Sequence, residues 1–232
     1  MGSQMEIYNF EVTTRDIEGL TDARGDSVKS MLESDYGVQV NNVRVILGYQ
    51  VKSDMSLEQA TRSIYDLFAD PIIEVGNLEN SLLDNKNLFS EAPQIAIKVG
   101  FKPGVTDNAG QAGLDGLRTI FPEISSASQV ATAMTYLFWG VPGDISPNWL
   151  SSKLHNQMIE RSSISDSKDC QKSVWPSLDF PERPKLTQKP SATVNLEVSD
   201  EELIQISEKG LLALNLEEMK AIQENYRDPK VC

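Results

Sequence analysis

The chain has 232 residues, 40% hydrophobic and 24% charged, which suits one large domain or two small ones. A net charge of −13 with no basic patch argues against nucleic-acid binding, whose affinity comes largely from neutralising phosphates. No apolar run approaches the roughly 20 residues that span a bilayer, and no signal-peptide pattern opens the chain, so no membrane partner is expected. Cys170 and Cys232 define neither a metal spacing nor a disulfide framework, which fits a reducing, cytoplasmic setting. Met1-Gly-Ser-Gln4 reads as a vector remnant ahead of a native start at Met5.

In chain order, Met5 to Val12 reads as a strand with Tyr8, Phe10 and Val12 on one face. A loop from Asp16 to Thr21 leads to a helix from Asp22 to Tyr36. Val28, Met31 and Leu32 form its buried stripe, and Gly37 is its stop signal. Val43 to Val51 alternates as a strand. Ser56 caps a second helix with Leu57, Ala60, Ile64, Leu67 and Phe68 on the core face. Asp70-Pro71 ends that helix, and Ile72 to Val75 reads as a short strand. The order β-α-β-α-β suggests an α+β half-module of the ferredoxin-like kind. Leu78 to Glu91 is a polar connector without clear periodicity.

A second pass repeats the first. Ile95 to Phe101 is a strand, Asp107 to Phe121 a helix, and Val130 to Phe138 an alternating strand. Ser146-Pro147 starts a helix, a cap followed by proline at the first helical position. Met158-Ile-Glu160 echoes Ile72-Ile-Glu74. Asp22 and Asp107 are 85 residues apart, Glu74 and Glu160 are 86, and Val43 and Val130 are 87. So small a drift over five elements argues for a duplication. The expected fold is therefore two such halves, about 5–78 and 92–165, forming a pseudo-dimer within a 5–165 domain. They would pair either sheets or helix faces. A Pro-rich linker is expected at 166–198, with Trp175, Leu178 and Phe180 pinning it locally. A helical segment at 199–228 follows, opened by capping boxes at Ser199–Glu202 and Asn215–Glu218. Two helices of this length need something to dock on.

The chemistry-bearing candidates are few. The turn Lys102-Pro-Gly-Val-Thr-Asp-Asn108 precedes a helix N-terminus, and Lys102 adds a cation, so Lys102, Thr106, Asp107 and Asn108 are candidate anion or partner contacts. Asp107, however, sits where a phosphate would go, and the plainer reading is a tight turn with a helix cap. Gly110, Gly113 and Gly116 recur every third residue, which suits close packing against another helix or backbone. His155 is the only histidine; at a helix end it reads more as a capping residue than as a catalytic base. No nucleophile, metal cluster or phosphate loop stands out. The catalytic and metal sets are empty, and no cofactor is expected in this chain.

Three runs carry a resemblance: Lys102-Pro-Gly-Val-Thr-Asp-Asn-Ala-Gly110, Asp22-Ala-Arg-Gly25 with Val43-Arg-Val45, and Gly210-Leu-Leu-Ala-Leu-Asn-Leu-Glu-Glu-Met-Lys-Ala-Ile-Gln223. Together they resemble the N-terminal part of phosphoribosylformylglycinamidine synthase, the purine-pathway amidotransferase of the long single-chain kind. The first half is similar to the small separate PurS subunit of the split enzymes, the second to a diverged copy, and the tail to the linker domain before the synthetase domain. The resemblance implies a duplicated PurS-like fold and the pathway reaction, in which formylglycinamide ribonucleotide is amidated with glutamine and ATP. It places ATP and magnesium in a synthetase domain, and a Cys–His–Glu triad in a glutaminase, both downstream of this chain. No catalytic residue carries over. The expected role is to join those synthetase and glutaminase partners. The alternative reading is a free-standing ferredoxin-like regulatory module that binds a small metabolite at the Lys102–Asn108 turn.

Overall fold

The computed structural model describes residues 5–182 and 193–227. Met1–Gln4, the linker prolines Pro184 and Pro190, and Cys232 lie outside the described residues. The chain divides into two compact units, Met1–Pro184 and Lys185–Cys232.

The first unit is mixed α+β. Its elements are β1 (Glu6–Thr14), α1 (Ala23–Tyr36), β2 (Asn42–Ser53), α2 (Leu57–Ser63), β3 (Glu74–Leu78), β4 (Ile95–Phe101), α3 (Asn108–Ile120), β5 (Gln129–Trp139), α4 (Pro147–Leu154), β6 (Glu160–Ser165) and α5 (Ser167–Gln171). A π-helical turn, Ile64–Phe68, extends α2. The six strands form one antiparallel sheet in the order β3-β1-β2-β5-β4-β6. That order reads the same outward from the central β2–β5 pair in both directions, and Leu47 faces Met134 at its middle. The link from β1 to β2 is helical, yet the two strands are neighbours. The chain leaves and re-enters the sheet at the same end because Gly37, at φ 66°, turns it out of α1, and Val38 and Val40 are buried on the way back.

One sheet face carries the helices. Tyr8, Phe10, Val12 and Val51 pack with Ala60, Ile64, Phe68, Leu117 and Phe121 in one cluster. Val43, Ile95, Ile97, Val99 and Phe138 pack with Leu32 and Leu150 in a second. Each cluster draws on both sets of strands and helices: α3 packs with α2 and its π-turn, and α1 packs with α4. Gly116 shows how close the first pair lies, since a Cβ there would be 2.5 Å from Leu67 Cδ1. At the second pair, Tyr36 meets Trp149 edge-on with ring centroids 5.4 Å apart. Leu57, expected on the core face of α2, is instead 64% exposed. It is the first residue after the Ser56 cap, and the buried face of the helix begins only at Ala60.

The other sheet face is covered by an irregular connector and by the short helix α5. The connector after β3 makes a 3-10 turn, Leu82–Asp84, and buries Leu82, Leu83 and Phe89 on Ile46, Ala96 and Leu137. Glu11 on β1 holds it by accepting from the Leu82 N–H at 2.7 Å. Helix α5 lies within the expected linker. Asp166 and Asp169 form its capping box, and it buries Cys170 in the same cluster. Residues 174–182 then run along the sheet, with Leu178 lying against Gly100. Trp175 Nε1–H donates to Asp84 at 3.0 Å, Gln50 donates to Leu178 O at 3.1 Å, and Arg161 donates to Asp179 O. Lys52 pairs with Glu182 and sits 5.7 Å from the Phe180 ring centroid. Trp175→Ala removes the first of these anchors. It is expected to cost about 2 kcal/mol in urea unfolding and to speed proteolysis within 174–182.

The second unit holds α6 (Asp200–Lys209) and α7 (Leu216–Asn225), each opened by the expected capping box. Leu203 and Met219 are fully buried. Ser207 Oγ donates to Leu214 O at 2.8 Å and accepts from Leu214 N–H at 3.0 Å, which fixes the connection between them.

Candidate functional site

The most structured feature of the sheet unit is a strand-to-helix turn that occurs twice. In both copies the motif is Asp-x-x-Gly at the start of a helix. Asp22 Oδ1 accepts from the Arg24 and Gly25 N–H groups at 3.2 Å, capping α1, and Oδ2 accepts from Val45 N–H at 2.7 Å. Asp107 Oδ1 accepts from Gly110 N–H at 2.7 Å, capping α3, and Oδ2 accepts from Thr132 N–H at 2.6 Å. Each aspartate therefore caps a helix and rivets it to the next strand. The glycine allows the approach: a Cβ at Gly25 would lie 2.1 Å from Val43 O, and one at Gly110 would lie 2.6 Å from Val130 O. Gly113 and Gly116 continue the row against Phe68 and Leu67.

The four predicted contact residues share the second turn but do different work. Asp107 has both oxygens engaged, with Thr132 Oγ1 also donating at 2.9 and 3.0 Å. Lys102 is engaged too. Its N–H donates to Ile159 O at 2.9 Å and its Nζ to Gln157 O. Thr106 and Asn108 are exposed beside them. An anion approaching α3 would meet the Asp107 carboxylate, which already holds the Gly110 N–H.

Lys102 has a counterpart in Arg15, whose N–H donates to Ile73 O at 2.9 Å and whose guanidinium donates to Pro71 O at 3.1 Å. Each cation thus braces a matching turn. In one, Asp70 accepts from Ile72 N–H and Glu74 accepts from Asp70 N–H. In the other, Asn156 accepts from Met158 N–H and Glu160 from Asn156 N–H. The expected strand at Ile72 therefore begins only at Glu74, because the Asp70 side chain closes a turn over the two isoleucines. Both turn tips are apolar and exposed, with Ile72 at 77% and Met158 at 83%.

Sequence reasoning missed Arg15 and Arg44. Arg44 lies on β2, where its guanidinium donates to Thr14 O at 2.5 Å and its Nε is 3.7 Å from Asp22 Oδ2. The 87-residue offset that matched Val43 to Val130 also pairs Arg15 with Lys102 and could have drawn attention to it. Nothing in the alternation of β2 distinguishes Arg44 from a solvated residue.

The remaining reactive side chains are tied into structure. His155 ends α4 with Nδ1 2.6 Å from Ser151 O. Cys170 is 1% exposed, and burial pushes its thiol up to about 11 from 9.0, the reverse of an activated nucleophile. Burial likewise raises Tyr49, near Glu74, and Tyr136, near Glu160. Among the described residues no group of three or more His, Cys, Asp or Glu is placed to hold a metal ion. No described helix is long and apolar enough to cross a membrane.

The raised thiol sets a pH dependence. The folded state keeps the Cys170 proton more tightly than the unfolded state, so its contribution is fully present below pH 9.0 and is lost as pH rises toward about 11. Urea unfolding is expected to weaken over that window by about 2 kcal/mol from this group, and Cys170→Ala is expected to flatten the slope.

The chain matches no family model and no curated protein. The fold and the turns define it as a mixed α+β protein, built on a six-stranded antiparallel sheet with two matching strand-to-helix turns.

Proposed function

We propose that this chain is an assembly part of phosphoribosylformylglycinamidine synthase. In this reading residues 5–165 are two PurS-like, ferredoxin-like halves forming a pseudo-dimer, and the tail after the linker is the enzyme's linker domain. The chain has no chemistry of its own. It joins a synthetase part, which supplies ATP and magnesium chemistry, to a glutaminase part in the cytoplasm. The observation that carries the reading is the equivalence of the two resemblance-bearing runs. Asp22–Gly25 and Asp107–Gly110 make the same bonds at symmetric posts of one sheet. The exposed faces support it as well: the apolar tips at Ile72 and Met158 project from matching turns, as an organising surface requires.

The test is sedimentation of the purified chain with synthetase and glutaminase parts prepared as separate chains. A stoichiometric complex is expected, with no synthase activity in the chain alone. Failure to co-sediment, or activity from the pure chain, refutes the reading. Saturable binding of a purine-pathway intermediate at the Lys102 turn without any partner favours the regulatory alternative.

A further inference from the structure

A small cavity lies between the β1–α1 loop and the start of β2. It encloses about 200 Å³ and is bordered by Arg15, Thr21, Asp22, Asp26, Asn42 and Arg44. That is room enough for a phosphate-sized group.

Two observations single it out. The first is a pair of orphan donors. Among the described residues the only buried side-chain nitrogen or oxygen atoms lacking a hydrogen-bond partner are Arg15 Nε and Arg44 Nε, and both arginines border this one cavity. Buried donors without acceptors are rare, and each carries a desolvation cost that an acceptor would relieve. Arg44 is held by Thr14 O, by the Phe89 ring 5.4 Å from its guanidinium carbon, and by an ion pair with Asp22, whose Oδ2 stands 3.7 Å from Nε, beyond hydrogen-bond range. Arg15 is tied only to a backbone carbonyl. In a chain of net charge −13, a half-buried arginine with no carboxylate partner is out of character.

The second observation is the contrast with the matching turn. The post of Arg44 on β2 is taken by Ala131 on β5, and the loop from Arg15 to Asp22 is two residues longer than that from Lys102 to Asp107. Ala131 occupies its post without a charge, so the shared architecture does not require an arginine there. The helix N-terminus forms no part of the site, because Asp22 already accepts from Arg24, Gly25 and Val45.

We propose that this cavity binds one tetrahedral oxyanion of the phosphate class between Arg15 and Arg44. Guanidinium groups from the β1–α1 loop and from β2 suit a tetrahedral group with oxygens on several sides, and charge-assisted bonds to both supply the affinity. Asp22, buried in the lining beside Arg44, and Asp26, exposed on the rim, both oppose the bound charge and keep binding weak. The proposal does not depend on the assembly reading.

The test is an amide-shift titration of the full chain by nuclear magnetic resonance, with inorganic phosphate in one arm and glycerol phosphate in the other. Saturable binding in the millimolar range is expected, with the Thr21, Asn42 and Arg44 amides moving most. Arg15→Gln is expected to weaken it about tenfold. Asp26→Asn, on the solvent side, is expected to strengthen it about threefold without touching the fold. Binding of both ligands points to a phosphorylated metabolite, and binding of inorganic phosphate alone to the free ion. Absence of saturable shifts in either arm overturns the proposal. So does wild-type affinity in both variants, which would mark surface binding only.

Discussion

Gly25→Ala is expected to destabilise the sheet unit by about 3 kcal/mol or more, because its added methyl would press directly on strand backbone. The new Cβ would lie 2.1 Å from Val43 O and 2.8 Å from its carbonyl carbon, and both atoms belong to the backbone of β2. No side chain can rotate to make room. The helix must retreat, which stretches the bond from Val45 N–H to Asp22 and strips the cap from α1. Gly110→Ala meets Val130 O at 2.6 Å, a milder collision, and should cost less. Gly143 has nothing within 4 Å of its added Cβ, so Gly143→Ala serves as a control with an expected change within about 0.5 kcal/mol. Urea unfolding followed by tryptophan fluorescence reads all three, because Trp139, Trp149 and Trp175 all belong to the first unit. An unchanged midpoint in Gly25→Ala would mean that α1 does not rest on β2 as described.

Phe138→Ala is expected to cost about 3–5 kcal/mol, the range for a fully buried aromatic side chain left as a cavity. Phe138 is 0% exposed. Its backbone pairs with Val43 on β2 and Ile95 on β4, and its cluster includes Leu32 from α1 and Leu150 from α4. The cavity therefore opens in a core that both sets of strands share. Unfolding should remain a single transition, moved as a whole to lower urea. Two separate transitions, with only the later strands affected, would show that the two sets are stable independently.

These expectations rest on features that were unequally visible in the sequence. The strands β2, β4 and β5 were legible because the residues of their helix-facing side recur at every second position, although Ile46 and Leu137 make the other face partly apolar as well. The helix starts were legible too, since Ser56, Asp107, Ser146 and Ser199 are caps with a local signature. What escaped was decided by distant partners. Leu82, Leu83 and Phe89 bury one at a time from an irregular segment, so no period announces them. Helix α5 is five residues long and sits before a proline-rich run that masks its Asp166–Asp169 capping box. Ile72 and Ile73 have the β-branched look of a strand, and only the Asp70 and Glu74 side chains turn them outward.

The site was legible in part for the same reason. Asp107 as a helix cap follows from its place before a helix. Its second task, holding Thr132, depends on the register of β5 and leaves no trace in local sequence. Likewise Lys102 looks like a free cation until the turn at Gln157 is seen beside it. The twin turns give the first unit its symmetry, while Arg44, replaced by Ala131 in the second copy, breaks it at one end.

The proposed role of this chain is to organise an amidotransferase without performing its chemistry. The most direct measurement is the rate of formylglycinamidine ribonucleotide formation by synthetase and glutaminase parts, with and without this chain. With glutamine as nitrogen donor, the account predicts turnover only when the chain is supplied. With free ammonia it predicts much less dependence, because no transfer between the two parts is then needed. Equal glutamine-driven rates in its presence and absence would contradict the account.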